Sequence, residues 1–243
     1  MLVKVQRHNN ETQNNHIDKF EVEHPSNTVL QTLIDIKSLQ DSSLTFRCGC
    51  SSGVCGSCAV RVNGVEKLAC KTTIHEGDLI EPLKYTNVIK DLVVDLSYEK
   101  EILKRPKAYL QNFEKEVITQ KDEKAIDRQS NCILCQSCYS SCPVFEVNKD
   151  FLGPYALTRV LRYLDDKKEH EEKEKIDLIQ TNGIWDCTLC GNCTMVCPQY
   201  IDPKMDIMNL RTKSFKYGYT DPNAMSFGGF GSNDDFGFNP NGF

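Results

Sequence analysis

The sequence predicts an α+β chain of two domains in tandem, followed by a tail, because its style changes twice along 243 residues. Residues 1–96 carry short alternating stretches, residues 97–215 read helical, and residues 216–243 have neither period. Each of the first two parts is long enough to bury a core of its own.

Taken in order, "LVKV" at 2–5 and "FEVE" at 20–23 alternate around the polar stretch "HNNETQNN", which predicts a hairpin. A helix follows over "NTVLQTLIDIK". Ser26 can cap it, and Val29, Leu30, Leu33 and Ile34 share a face that can pack on the sheet. Beyond residue 97, "YEKEILKRPKAYLQNFEKEV" and "YALTRVLRYL" carry the helical pattern. The charge run "DDKKEHEEKEK" reads as a solvated helix face or loop, with His170 a spectator. The last stretch, with Phe227, Phe230, Phe236, Phe238 and Phe243 spaced along Gly and Asn, is expected to be irregular; its rings suit a segment that orders on a partner.

Composition narrows the function. A formal net charge of -5 with interspersed signs gives no basic footprint for nucleic acid. No run reaches the roughly eighteen apolar residues of a membrane span, so no direct span is expected. The start, "MLVKVQRHNN", has no signal-peptide pattern, and any export would need a partner's signal. Thirteen cysteines in such a chain favour clustered thiolate ligands over an extracellular disulfide framework. Nucleophile elbows, phosphate loops and zinc-protease helices are absent, so no catalytic residue is assigned.

The first cysteine group is "CSSGVCGSCAVRVNGVEKLAC". Cys50, Cys55 and Cys58 leave four and then two residues between ligands, the plant-type spacing for a 2Fe-2S cluster. Gly53 and Gly56 let the backbone curl around the cluster. "AVRV", the turn Asn63-Gly64 and "VEKLA" then form a hairpin that returns Cys70 as the fourth ligand. Structural zinc also takes four thiolates, but the tight glycine loop with a distant fourth ligand fits a 2Fe-2S cluster better. Cys48 is surplus and reads as a non-ligand.

The second group is an internal repeat: "CILCQSCYSSCP" at 132–143 and "CTLCGNCTMVCP" at 187–198 share one C-x-x-C-x-x-C-x-x-x-C-P spacing. In such pairs three cysteines wrap one cubane and the fourth crosses to the other. Cys132, Cys135, Cys138 and Cys197 are therefore expected to hold a first 4Fe-4S cluster. Cys142, Cys187, Cys190 and Cys193 are expected to hold a second.

A plant-type 2Fe-2S domain followed by a two-cluster ferredoxin-like helical domain resembles the iron-sulfur subunit of succinate dehydrogenase and fumarate reductase. "NVIKDLVVDLS" at 87–97 and "FLGPYALTRVLRYLDD" at 151–166 are similar to segments of that family. The resemblance implies an N-terminal β-grasp 2Fe-2S ferredoxin domain and an α-helical bacterial-ferredoxin-like domain. It implies electron transfer between an FAD-containing flavoprotein subunit and a quinone-reactive membrane module, within an oxidoreductase complex peripheral to the cytoplasmic membrane. It further implies that the 2Fe-2S centre is nearest the flavin and the Cys187-containing set nearest the membrane module.

This chain also departs from the family's common form. There the position of Cys190 carries a non-ligating residue and the third cluster is 3Fe-4S; Cys190 restores a full set, implying 4Fe-4S. A quinone-contacting tryptophan of the common form has Phe145, Glu146 and Val147 in its region, and a histidine is matched by Thr188. These departures resemble the subgroup whose membrane module is a cysteine-rich, heterodisulfide-reductase-like subunit, as in methylmenaquinol:fumarate reductases. An electron-transfer subunit of another flavin dehydrogenase or of a heterodisulfide-reductase-like complex is the alternative. The physiological direction is not written in this chain.

Overall fold

A computed structural model describes residues 1–9, 14–23, 28–111 and 115–222. Strand β1 (Leu2–Asn9) pairs antiparallel with β2 (Asn14–Glu21), from Leu2 opposite Glu21 to Asn9 opposite Asn14. The hairpin is longer than the apolar alternation indicates, because main-chain pairing runs on into the polar stretch. His8 Nδ1 and Asn15 Oδ1 lie 2.7 Å apart there.

Helix α1 (Val29–Leu39) is capped by Thr28, whose hydroxyl accepts from the Gln31 amide at 3.2 Å. Ser26, the expected cap, lies outside the described residues. The helix buries Val29, Leu30, Thr32, Leu33 and Ile36, whereas Ile34 is only half-buried. Strands β3 (Ala59–Val62) and β4 (Val65–Leu68) close over Asn63 and Gly64, both at positive φ (51° and 83°), as the Asn-Gly pair predicts. With β5 (Leu79–Glu81) they complete a mixed sheet in the order β2-β1-β5-β3-β4, parallel only between β1 and β5. Val3, Val5, Val60, Val62 and Ile80 of the sheet share one buried cluster with Leu30, Leu33 and Ile36 of the helix. This is the expected β-grasp arrangement.

A small hairpin, β6 (Val88–Lys90) and β7 (Val93–Val94), is tied to the sheet by the buried Arg7. Its guanidinium donates to Asp91 at 3.0 Å, to Asp18 at 2.9 Å, to Ser43 at 3.0 Å and to Asp41. One side chain thus joins both hairpins to the loop after α1.

The C-terminal half is helical, with two corrections to the sequence expectation. Among the described residues of 98–117 the pattern yields only α2 (Tyr98–Lys104), since Pro106 has no amide to continue the ladder. The charge run is not wholly solvated. Within α7 (Glu172–Leu178) Lys175 is fully buried, paired with Glu169 at 3.0 Å and donating to the Tyr109 carbonyl at 2.9 Å. His170 is exposed.

Helices α3 (Gln120–Ser130), α6 (Pro154–Leu164) and α9 (Pro203–Phe215) form the frame. Thr158 and Gln129 both donate to the buried Asp206, at 2.8 and 2.9 Å, which locks the three together. Between them lie three short elements: α4 (Ser137–Ser140), α5 (Pro143–Val147) and α8 (Asn192–Met195). Tyr217 and Tyr219 pack against this core, and the Tyr219 hydroxyl donates to Asp177 at 2.7 Å, so packed chain continues past residue 215. The tail phenylalanines lie outside the described residues. Among the described residues no helix is long and apolar enough to cross a membrane.

Candidate functional site

The loop from Cys50 to Cys58 owes its shape to residues at positive φ: Ser51, Gly53 and Gly56 at 56°, 82° and 73°. Its amides turn inward. Those of Ser52 and Val54 donate to Cys50 Sγ, and that of Cys50 to Cys55 Sγ, each at 3.4 Å. The Ser52 hydroxyl, assisted by the two amides, holds the exposed Cys50 thiol down at about 5. Burial pushes Cys58 up instead, and Cys70 and Cys55 are the groups it feels. Cys58 and Cys70 are brought together by the β3–β4 hairpin, through the Ala69 amide on the Cys58 carbonyl at 3.0 Å. Cys48 is exposed.

The duplicated cysteine runs fold as a structural repeat. Leu134 and Leu189 both take positive φ (52° and 55°), as do Gln136 and Gly191 (69° and 85°), and each run then makes a single helical turn, α4 or α8. This backbone aims the first three sulfurs of a run at one point. The last cysteine of each run, beyond the turn, faces the other point. Accordingly Cys132, Cys135, Cys138 and Cys197 line one cavity, closed by Leu134, Tyr155, Thr158 and Ile201. Cys142, Cys187, Cys190 and Cys193 line another, closed by Val144, Phe151, Ile207 and Lys204.

Ionisation tests the fit of these sites to iron. Burial raises Cys132 to about 11 and Cys193 to about 12, and pushes Cys135, Cys138, Cys142 and Cys187 upward. A buried thiol with a raised pKa becomes a thiolate when a cationic centre compensates it, so three such thiols at each cavity suit a cluster. Among the described residues no group of three or more His, Cys, Asp or Glu is disposed to hold a single metal ion. Cavities ringed by sulfur are what a cubane requires.

The three thiol groups abut. A methyl group on Gly56 would fall 2.8 Å from the Ile133 carbonyl oxygen and 2.9 Å from Cys135 Cβ, so only glycine lets the two loops touch. Cys138 in turn feels the charge of Cys193 across the repeat. Some residues at the sites carry no signal in the sequence. Lys204 stands in the wall of the Cys187 cavity. Arg211 donates to the carbonyls of Ile184 (2.8 Å) and Cys187 (2.7 Å) while stacked over Trp185. Gln199 reaches the Gly53 carbonyl at 2.9 Å. Each depends on long-range folding that no spacing encodes.

Residues 2–101 match the 2Fe-2S iron-sulfur cluster binding domain family, and residues 128–201 match the 4Fe-4S dicluster domain family. The fumarate reductase iron-sulfur subunit of Haemophilus influenzae is 36% identical over 89% of this chain and 93% of its own length. The 8-methylmenaquinol:fumarate reductase iron-sulfur subunit of Wolinella succinogenes is 36% identical over 79% of this chain and 65% of its own. A chain of the Mycobacterium smegmatis Sdh1 complex shares the fold, with a TM-score of 0.79 and 23% identity over 90% of this chain and 97% of that one. This protein therefore belongs to the family of iron-sulfur subunits of succinate dehydrogenases and fumarate reductases.

Proposed function

We propose that the chain relays electrons between the FAD site of a flavoprotein subunit and a quinone-reactive membrane module of a succinate dehydrogenase or fumarate reductase complex. The observation that carries this is the unbroken line of thiol groups, from Cys55 through the Gly56–Cys135 contact to Cys138 and on to Cys193. Cys50, Cys55, Cys58 and Cys70 would hold one 2Fe-2S cluster. The sets Cys132, Cys135, Cys138, Cys197 and Cys142, Cys187, Cys190, Cys193 would each hold a 4Fe-4S cluster. Bound clusters supply one-electron redox chemistry; the protein supplies their spacing and surroundings. Helices α4 and α8 fix the two cavities side by side, apolar side chains exclude water from them, and amides and cations near the sulfurs set how readily negative charge accumulates.

Cys190 supports the second 4Fe-4S assignment, since it joins three other thiols at the same cavity. It is also exposed, which opens that end of the line to a partner. Phe145 is buried against Tyr139 and Thr188 is exposed, so neither region repeats the common quinone site. This, with the similarity to the Wolinella subunit, supports a cysteine-rich, heterodisulfide-reductase-like membrane partner and a peripheral place at the cytoplasmic membrane. The chain would divide functionally at residue 97, with 1–96 facing the flavoprotein and 97–215 the membrane module. Tagged protein isolated anaerobically from its own host should bring down an FAD-containing flavoprotein, and succinate or fumarate should change the redox state of its centres. Isolation alone, with centres inert to both acids, contradicts the proposal.

A further inference from the structure

We propose that Gln199 is a positioning residue that clamps the 2Fe-2S loop to the first cubane's loop and so fixes the gap an electron crosses between them. The inference rests on the ligand assignment above but concerns a residue that is not a ligand. Gln199 follows Cys197 and Pro198 and lines the Cys132/Cys135/Cys138/Cys197 cavity. From there its Nε2 donates to the Gly53 carbonyl at 2.9 Å, across 146 residues of sequence. Gly53 is buried, at φ 82°, between Cys50 and Cys55, with the Lys71 side chain over it. Its carbonyl finds Gln199 there as a hydrogen-bond partner, and a buried carbonyl left without one is costly.

Beside this bond, Gly56 packs directly on Ile133 and Cys135. The Gln199 bond and the Gly56 contact thus grip the 2Fe-2S loop near its middle and near its end, and both reach the same partner loop system. Electron tunnelling falls steeply with distance, so a loop free to swing by a bond length changes the transfer rate without losing its metal. Another link between the two cores, Ser140 to Glu66 at 2.7 Å, lies elsewhere and remains when Gln199 is altered. The substitution therefore reads the local clamp and not the joining of the domains.

The test compares Gln199→Leu and Gln199→Lys with the unaltered full-length protein, reconstituted anaerobically. Lysine can restore a donor to the carbonyl; leucine keeps the bulk without one. Iron content should not change in either. In Gln199→Leu, amide hydrogen exchange across 51–56 should rise about fivefold, the factor that one net hydrogen bond corresponds to, and the magnetic coupling between the reduced 2Fe-2S centre and its neighbour should weaken in pulsed EPR. Gln199→Lys should restore both. Unchanged exchange and coupling in Gln199→Leu overturns the clamp, as does iron loss confined to the first cubane with 51–56 unaffected. If the unaltered protein holds no 2Fe-2S or 4Fe-4S centre, the ligand assignment fails, and the exchange data still decide whether Gln199 restrains the loop.

Discussion

The Ser140 hydroxyl donates to the Glu66 carboxylate at 2.7 Å and accepts from the Lys84 amide at 2.8 Å, joining the sheet's core to the helical one. Ser140 and Glu66 are both buried, and Arg61 Nε, at 3.8 Å, is too distant to replace the lost bond. Ser140→Ala should therefore destabilise by about 1–3 kcal/mol, the cost of leaving a buried acceptor unpaired. A drop of roughly 2–4 °C in unfolding midpoint per kcal/mol is expected for a chain of this size. Scanning calorimetry checks it; an unchanged midpoint means that water replaces the hydroxyl.

The Lys175–Glu169 pair makes a sharper case, because both side chains are out of solvent. Lys175→Ala strands a buried carboxylate and should cost about 3–5 kcal/mol. Converting both residues together, to Met and Leu, should recover most of that loss, since a buried pair is often no more stabilising than apolar groups of its size. Denaturant titration of both variants decides the matter. If the double variant is as unstable as the single one, the pair is itself a net stabiliser.

Acid should loosen the Arg7 network. The Ser43 hydroxyl, then Arg7 and the Ser43 amide, hold Asp41 down at about 2, below its usual value of 3.8. A carboxylate with a depressed folded-state pKa stabilises above its unfolded pKa, and that stability is lost as pH falls through the folded value. The contribution should fade between about pH 4 and pH 2. Asp41→Asn should be less stable than the native chain at pH 6, and the difference should shrink over that window. A gap that stays constant to pH 2 contradicts this origin.

Much of this was legible in the cysteines. The repeat's spacing, read with the crossed ligation of such pairs, groups Cys132, Cys135, Cys138 with Cys197 and Cys142 with Cys187, Cys190, Cys193, and the same sets line two separate cavities. Turn chemistry placed Asn63 and Gly64 correctly, because an Asn-Gly turn is a local preference. What escaped was long-range. Pro106 stopped a helix whose periodic pattern continued past it, and Lys175 sat in a charge run yet found Glu169 and the Tyr109 carbonyl inside the core. Local pattern does not show such partners.

Lys204 lies in the wall of the Cys142/Cys187/Cys190/Cys193 cavity, near Cys187, whose charge it favours. A nearby cation stabilises the reduced, more negative form of a cluster. Lys204→Met should lower that centre's reduction potential, on the order of tens of millivolts for a charge a few ångströms away, and Lys204→Arg should not. EPR-monitored redox titration reads this, with the 2Fe-2S centre as internal control. A shift of both centres by the same amount indicates a global change instead.

The most direct measurement is Mössbauer spectroscopy with iron analysis on the anaerobically isolated protein, before and after Cys190→Ala. Cys190 stands with three other thiols at the second cavity, so the unaltered chain should hold about ten irons, as one 2Fe-2S and two 4Fe-4S centres. Cys190→Ala should convert only the second cubane to 3Fe-4S, with its characteristic oxidised EPR signal. A 3Fe-4S centre already present in the unaltered, oxygen-free protein, or an unaltered 4Fe-4S count after the substitution, would contradict the four-thiolate assignment.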